Sequence, residues 1–348
     1  MPSPNWHGAS SLITLILKPE HSFGRITFPM RYPDNPIIHR GLVPQTDKRI
    51  FDPSSVFNPG GYLQEGYYKL ILRVQNRARE TFLLPAKSID GITFEISETP
   101  LDFCSMEDFS YTIYHIYDPR PVMLGQRLVV VCAIDTDSGC RLALFEQEDS
   151  NRLRYLGMPL DQELRNGVIF PEQIDGKYIM FARPNDFAGS DGVKSGKQIV
   201  AYQSLDLLHW EQLAAVFTGR AHYWDELIGS GPTPLKTRAG WLHIYHGVAT
   251  HFASANLYQM GISLQDLQRP WITRSRGKYN ILEPREYYEL VGQVPGVVFP
   301  SAALSRDYDS EGFLLPGAKV NVYYGAADTS VALAQFTLEE LLEAAYAN

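Results

Sequence analysis

Val56-Phe57-Asn58-Pro59-Gly60 and Ile116-Tyr117-Asp118-Pro119-Arg120 are two versions of one short strand built around a proline. The same kind of strand returns as Val168-Ile169-Phe170-Pro171-Glu172, Ile228-Gly229-Ser230-Gly231-Pro232 and Val297-Val298-Phe299-Pro300-Ser301. Each is followed by a loop and a longer apolar or aromatic strand: YYKLILRV from Tyr67, RLVVVCAI from Arg127, KYIMFARP from Lys177, WLHIYHGV from Trp241 and KVNVYYGAADT from Lys319. Strand-only repeats of about 50 to 70 residues indicate propeller blades rather than helical arrays. Five units predict an all-β, five-bladed β-propeller whose innermost strands carry polar residues toward a central funnel. One axial site is therefore expected.

Working outward, segments between the inner strands carry the signals of outer hairpins. Ser88–Phe94, Glu148–Tyr155, Leu205–Trp210 and Leu264–Trp271 each place a turn former, usually Asp, a few residues before an aromatic. Blades are expected near 50–110, 111–160, 161–215, 216–285 and 286–335, within a single catalytic domain covering 1–348. A strand near Leu12–Leu17 is expected to complete the last blade and hide an edge. The Leu/Glu pattern from Thr337 predicts a short C-terminal helix at about 337–346, packed on the propeller exterior. The polar, glycine-rich stretch from Asp186 to Gly196 reads as a mobile loop, with Lys194 and Lys197 able to reach a ligand.

Composition narrows the function classes. Of 348 residues, 45% are hydrophobic and 20% charged, which supports a sizeable core and excludes wholesale disorder. Twenty Tyr, 17 Phe and 5 Trp suit packing between blades, and also suit stacking against sugar rings. A net charge of −8 without a basic tract argues against nucleic acid. Cys104, Cys132 and Cys140 form no metal-type spacing and predict a reducing compartment, so a cytoplasmic location is expected. The apolar run Ala9–Leu17 lacks a preceding cation and a cleavage site, and reads as a strand. No segment approaches a membrane span. No phosphate-binding glycine loop, serine nucleophile elbow or zinc spacing is present. No metal and no cofactor are expected.

Asp118 stands out as a carboxyl at the end of an inner strand, able to act as a general acid if its surroundings keep it protonated. The competing reading is an Asp-Pro turn with an ion pair to Arg120. Arg73, Arg165, Arg183 and His246 lie at inner-strand ends or neighbouring turns in three different blades. Cations turned into a funnel must meet anions, either protein carboxylates or a ligand's phosphate, sulfate or carboxylate. Asp328 is a polar group suited to a sugar hydroxyl.

With these residues in place, the chain resembles glycoside hydrolase family 130, five-bladed propellers that cleave β-mannosides, mostly by phosphorolysis. The resemblance runs from about Asn35 to Asp328. It is carried by VFNPGG at Val56, YDPR at Tyr117, RNGVIFPEQIDGKY at Arg165, GWLHIYHGV at Gly240, LEPREYYELVGQVPGVVFP at Leu282 and VYYGAADT at Val322. It implies that Asp118 is the single catalytic acid, acting through the mannose 3-hydroxyl, and that Asn58, Arg73 and Asp328 hold the mannosyl unit. It implies further that Arg165, Arg183 and His246 bind phosphate. The implied activity is inverting phosphorolysis of a β-1,4- or β-1,2-linked manno-oligosaccharide, or of a mannosyl-glucose or mannosyl-N-acetylglucosamine, giving α-mannose 1-phosphate. Phosphate is then a co-substrate, and a homo-oligomer is left open.

One position departs from the family pattern. Leu227 stands where the phosphorylases carry Lys or Arg, which removes a charge-assisted contact of about 1.5–3 kcal/mol. Lys236, Arg220 or a loop lysine are candidate substitutes. The departure keeps an inverting β-mannosidase as the alternative, with Glu172, Glu211 or Glu226 as its base, since a hydrolase needs a second carboxyl to activate water. A non-catalytic glycan- or protein-binding propeller is the reading from another class.

Overall fold

The computed structural model describes residues 30–188, 194–250 and 256–347. Five antiparallel-cored sheets follow one another along the chain as blades I to V. Their innermost strands are Ser55–Gln64, Ile113–Leu124, Leu164–Ile169, Leu227–Ser230 and Val298–Leu304. The second strands are Tyr67–Gln75, Arg127–Thr136, Tyr178–Pro184, Gly240–Ala249 and Lys319–Ala326, as the sequence repeats predict. Third strands at Thr81–Ser88, Gly139–Asp149, Gln198–Ser204, Leu257–Gln265 and Ser330–Thr337 extend each sheet outward.

The second strands read as nearly unbroken apolar runs because both of their faces are covered. In blade I, Leu70, Leu72 and Val74 pack toward blade V, whereas Ile71 packs toward blade II. In blade II, Leu128, Val130 and Cys132 face blade I, and Val129 and Val131 face blade III. Five such hydrophobic clusters separate the five blades, including one between blades V and I, so the ring is closed. Closure is reinforced by Met30–Arg31, which pairs antiparallel with Ala334–Gln335 as the outermost strand of blade V. The strand expected near Leu12–Leu17 lies outside the described residues.

The predicted outer turns form as the aspartates dictate. Oδ1 of Asp90 accepts from the N–H groups of Ile92 and Thr93, Asp206 from Leu208 and His209, Asp266 from Gln268 and Arg269, and Asp149 from Asn151. The C-terminal helix spans Leu338–Tyr346 and starts in a reciprocal cap between Thr337 and Glu340. Its Leu338, Leu341 and Ala345 are buried against blades IV and V.

Two boundaries differ from the expected ones. Asp102–Cys104 pairs in parallel with Arg152–Gly157, making blade II five-stranded and moving its start before residue 111. The third inner strand begins at Leu164 and ends at Ile169, so Pro171 lies beyond it. No helix among the described residues is long and apolar enough to cross a membrane.

Candidate active site

The geometry of the axis comes from one repeated irregularity. In blades I, II and III the pairing of first and second strands slips by one residue at the same place. Phe57 pairs with Arg73 but Gly60 with Ile71, Tyr117 with Ala133 but Arg120 with Val131, and Arg165 with Arg183 but Val168 with Phe181. These are β-bulges, which re-aim a side chain at the cost of one unpaired residue. The re-aimed residues are Asn58, Asp118 and Asn166, all in the left-handed region with φ of 44°, 50° and 54°. Asn and Asp tolerate that conformation better than other residues with a Cβ. Bulge chemistry and strand register therefore bring three polar side chains and two cross-strand arginines to equivalent points around the axis.

In blade IV the equivalent pair is Gly229 with His246, and in blade V it is Phe299 with Gly325. A side chain at Gly229 would come within 2.5 Å of both Asn166 Oδ1 and His246 Cε1. One at Gly325 would collide with Asn58. The two glycines are what allow the neighbouring polar groups to occupy the axis.

These residues line one cavity of about 270 Å³: Asn58, Arg73, Asp118, Arg165, Arg183, His246 and Asp328, which are all seven residues singled out from sequence, join Tyr117, Asp135, Asn166, Tyr258, Phe299 and three apolar residues. A concave polar pocket with converging titratable groups is the default ligand site of a fold. It divides into two halves. In the first, Oδ1 of Asp118 accepts from Arg73 Nη1 at 2.9 Å and from Asn58 Nδ2 at 3.2 Å. Arg73 is held flat between the rings of Phe57 and Tyr117, each 4.5 Å from its guanidinium carbon. Asp328 sits beside this pair. Its withdrawal from water, with the Asp118 charge adding to it and Arg73 opposing it, raises its pKa to about 6.

The second half is rich in donors. Arg165 and Arg183 are cross-strand neighbours, so their guanidinium groups crowd one another. Burial, followed by repulsion from Arg165, lowers the Arg183 pKa to about 10. Its Nη2 reaches Asn185 Oδ1 at 3.1 Å, and it has no carboxylate partner among the described residues. His246 is fully buried beside Arg183 and Arg120, and burial above all holds its pKa well below 6.5. It is therefore a neutral ring at neutral pH, and among the described residues both of its nitrogens lack a partner, as do Asn166 Oδ1, Arg165 Nε and Arg183 Nε. Asn58 Oδ1 and Arg73 Nε in the first half are unpaired as well, and unpaired buried polar groups of this kind, more numerous in the second half, indicate where a polar ligand is missing.

Several readings from sequence need correction. Asp118 does not pair with Arg120. The bulge turns Asp118 to the axis and Arg120 away from it, where Arg120 is fully buried and donates Nη1 to the Ser301 carbonyl at 3.2 Å. Lys236 is bound to Glu172 and Arg220 to Asp225, so neither substitutes for a cation at the axis. Lys197 lies over the Phe187 ring, and the middle of the 186–196 loop and the Lys194 side chain lie outside the described residues. Glu172, Glu211 and Glu226 do not line the cavity. Glu172 pairs with Lys236, Glu211 accepts from Gln203 and Glu226 from Thr250. Leu227 is buried in the inner strand of blade IV opposite Val248, and also does not line the cavity.

Asn166, Tyr117 and Asp135 are cavity residues that the sequence reading missed. The signal for Asn166 was present, because Arg165-Asn166-Gly167 repeats the position of Phe57-Asn58-Pro59 and Tyr117-Asp118-Pro119. Aligning the repeats on proline hid it, since the third bulge has Gly167 where the first two have proline.

The family model described as beta-1,4-mannooligosaccharide phosphorylase matches residues 28–347. The chain belongs to glycoside hydrolase family 130. It is 31% identical over 320 residues to a beta-1,4-mannooligosaccharide phosphorylase of Ruminococcus albus, covering 90% of this chain and 89% of that protein. It is 32% identical over 265 residues to a beta-1,2-mannobiose phosphorylase of Listeria innocua, covering 75% and 68%. Among solved structures, beta-1,2-mannobiose phosphorylase from Listeria innocua in complex with beta-1,2-mannobiose superposes with a TM-score of 0.76 at 27% identity. That match covers 90% of this chain and 98% of the other. In this family 130 member the bulged inner strands and the register of their partners place most polar groups of the axis, while Asp328 comes from the turn after Lys319–Ala326 and Tyr258 from a third strand.

Proposed function

We propose that this chain is an inverting phosphorylase that cleaves a β-mannoside with inorganic phosphate and releases α-mannose 1-phosphate. Asp118 supplies the proton to the glycosidic oxygen as its bond to the mannosyl C1 breaks. A phosphate oxygen forms the new bond to C1 from the opposite face, which inverts the configuration. Asn58, Arg73 and Asp328 hold the mannosyl unit. Arg165, Arg183 and His246, joined by Asn166, hold phosphate. His246, being neutral, contributes a single ring N–H. Phosphate is a competent nucleophile once held by cations, so no second carboxyl is required to activate water.

The observation that carries this reading is the division of one cavity between a clamped carboxyl and a facing group of two arginines, His246 and Asn166 that keeps polar atoms without partners among the described residues. Relatives named as phosphorylases at 31% and 32% identity support it. The three cysteines are free, as suits a reducing compartment, and we place the enzyme in the cytoplasm. The test incubates β-1,4- and β-1,2-mannobiose with and without phosphate and identifies the sugar released. Phosphate-dependent mannose 1-phosphate is expected. Free mannose at an equal rate without phosphate would make the chain a β-mannosidase and overturn the proposal.

A further inference from the structure

Asp118 is not the only cavity carboxylate with one oxygen clamped. Oδ1 of Asp135 accepts from the Tyr117 hydroxyl at 2.7 Å and from Arg165 Nη2 at 3.3 Å. Its Oδ2 has no hydrogen-bond partner among the described residues, and Asp135 lines the cavity on the side of the donor-rich half. Tyr117 is itself fixed. Its ring is buried and lies against the guanidinium groups of Arg73 at 4.5 Å and Arg165 at 5.8 Å, with Cys140 Sγ 3.6 Å from its hydroxyl. The result is a carboxylate oxygen held beside Arg165, at the edge of a half of the cavity in which donors predominate.

Tyr117 and the ion pair with Arg165 account for Oδ1, and they leave Oδ2 for a hydrogen that the ligand brings. A carboxylate accepts hydrogen bonds and cannot donate them. Inorganic phosphate at neutral pH keeps at least one P–OH hydrogen, and so does arsenate, whereas sulfate has none. An oxyanion held by Arg165 and Arg183 that lacks such a hydrogen sets its own negative oxygen against Oδ2, an acceptor–acceptor contact at the half-exposed mouth of the site. One that has it forms a charge-assisted O–H···O bond there. We propose that Asp135, fixed by Tyr117, is the residue that selects phosphate over fully deprotonated oxyanions, by accepting the hydrogen that phosphate retains. This inference rests on the assignment of that half of the cavity to phosphate. It adds a use for the oxygen of Asp135 that neither Tyr117 nor Arg165 occupies.

The test measures equilibrium binding of phosphate, arsenate and sulfate to the purified full chain by titration calorimetry without sugar. For the unmodified chain, phosphate and arsenate are expected to bind alike, and roughly 10- to 100-fold more tightly than sulfate, the range for one charge-assisted hydrogen bond gained against one repulsive contact. Asp135→Asn presents an amide that donates to any oxyanion, and should bring phosphate and sulfate to within about threefold of one another, chiefly through tighter sulfate binding. A merely structural residue would weaken all three anions together and leave their ratios unchanged, and that result would overturn the proposal. So would an unmodified chain that binds sulfate as well as phosphate. Tyr117→Phe keeps every charge and provides a second arm if Asp135→Asn does not fold. It leaves Asp135 held by Arg165 alone, and the phosphate-to-sulfate ratio should fall by several-fold, with an unchanged ratio again refuting the idea. Phosphate-independent release of free mannose would overturn the phosphorolysis reading alone, because the anion ratios are measured without turnover.

Discussion

Asp328→Asn separates what the cavity costs in stability from what it contributes to chemistry. Asp328 has a φ of 49°, a conformation Asn accepts, so the substitution does not strain the backbone. Its pKa rises from 3.8 to about 6 because burial disfavours the charged form and the neighbouring Asp118 adds repulsion, only partly offset by Arg73. At 1.36 kcal/mol per pH unit, the rise corresponds to about 3 kcal/mol, an upper bound. The open face of the cavity lets water screen the carboxyl, and about 1–2 kcal/mol is the expected effect.

The sign follows from proton counting. Between the unfolded pKa of 3.8 and the folded pKa of about 6, the native state binds more protons than the unfolded state. Stability from this group therefore falls as pH rises through that window and stays reduced above it. Asp328→Asn removes the penalty. Urea unfolding followed by fluorescence, in buffers without phosphate, should show the variant about 1–2 kcal/mol more stable than the parent at pH 7.5. The difference should shrink to a small remainder near pH 4 and vanish below the unfolded pKa of 3.8, where the carboxyl is protonated in both states. Turnover of a β-mannoside should fall over the same pH range, since the residue is proposed to hold the sugar. A variant less stable at pH 7.5, or a difference that does not change with pH, would refute the reasoning.

Asp118→Asn keeps the bulge and should keep the fold while lowering turnover of an unactivated β-mannoside by roughly 10²–10⁴-fold, measured by mannose 1-phosphate release. Gly229→Ala places a methyl group against Asn166 and His246, and should raise the KM for phosphate about tenfold with an unchanged circular dichroism spectrum. Leu227 precedes Gly229 by two residues and shares its face of the inner strand, the face that meets Asn166 and His246. Leu227→Lys should accordingly direct an ammonium toward the donor-rich half and lower the KM for phosphate several-fold, with kcat little changed. An unchanged or higher KM would show that this position does not serve the anion.

The sequence alone was sufficient for the ring. Apolar runs covered on both faces, Asp-initiated outer turns and five returns of one strand pair are local patterns, and a β-propeller repeats local patterns around an axis. The same repetition made Arg73, Asp118 and Asp328 visible as polar residues in otherwise apolar inner hairpins, and the family resemblance added Asn58. Tertiary structure decided the partnerships. Asp118 and Arg120 are two residues apart, yet the bulge between them sends one to the cavity and the other into the protein, so Asp118 finds its cation in Arg73 of the preceding blade. In the sequence Asp135 is one polar residue at a strand end, and only the fold brings the Tyr117 hydroxyl and Arg165 of the next blade together on one of its oxygens. Register and bulge position depend on how each first strand pairs with its second. A one-residue slip exchanges which side chains face the axis, and composition does not record that slip.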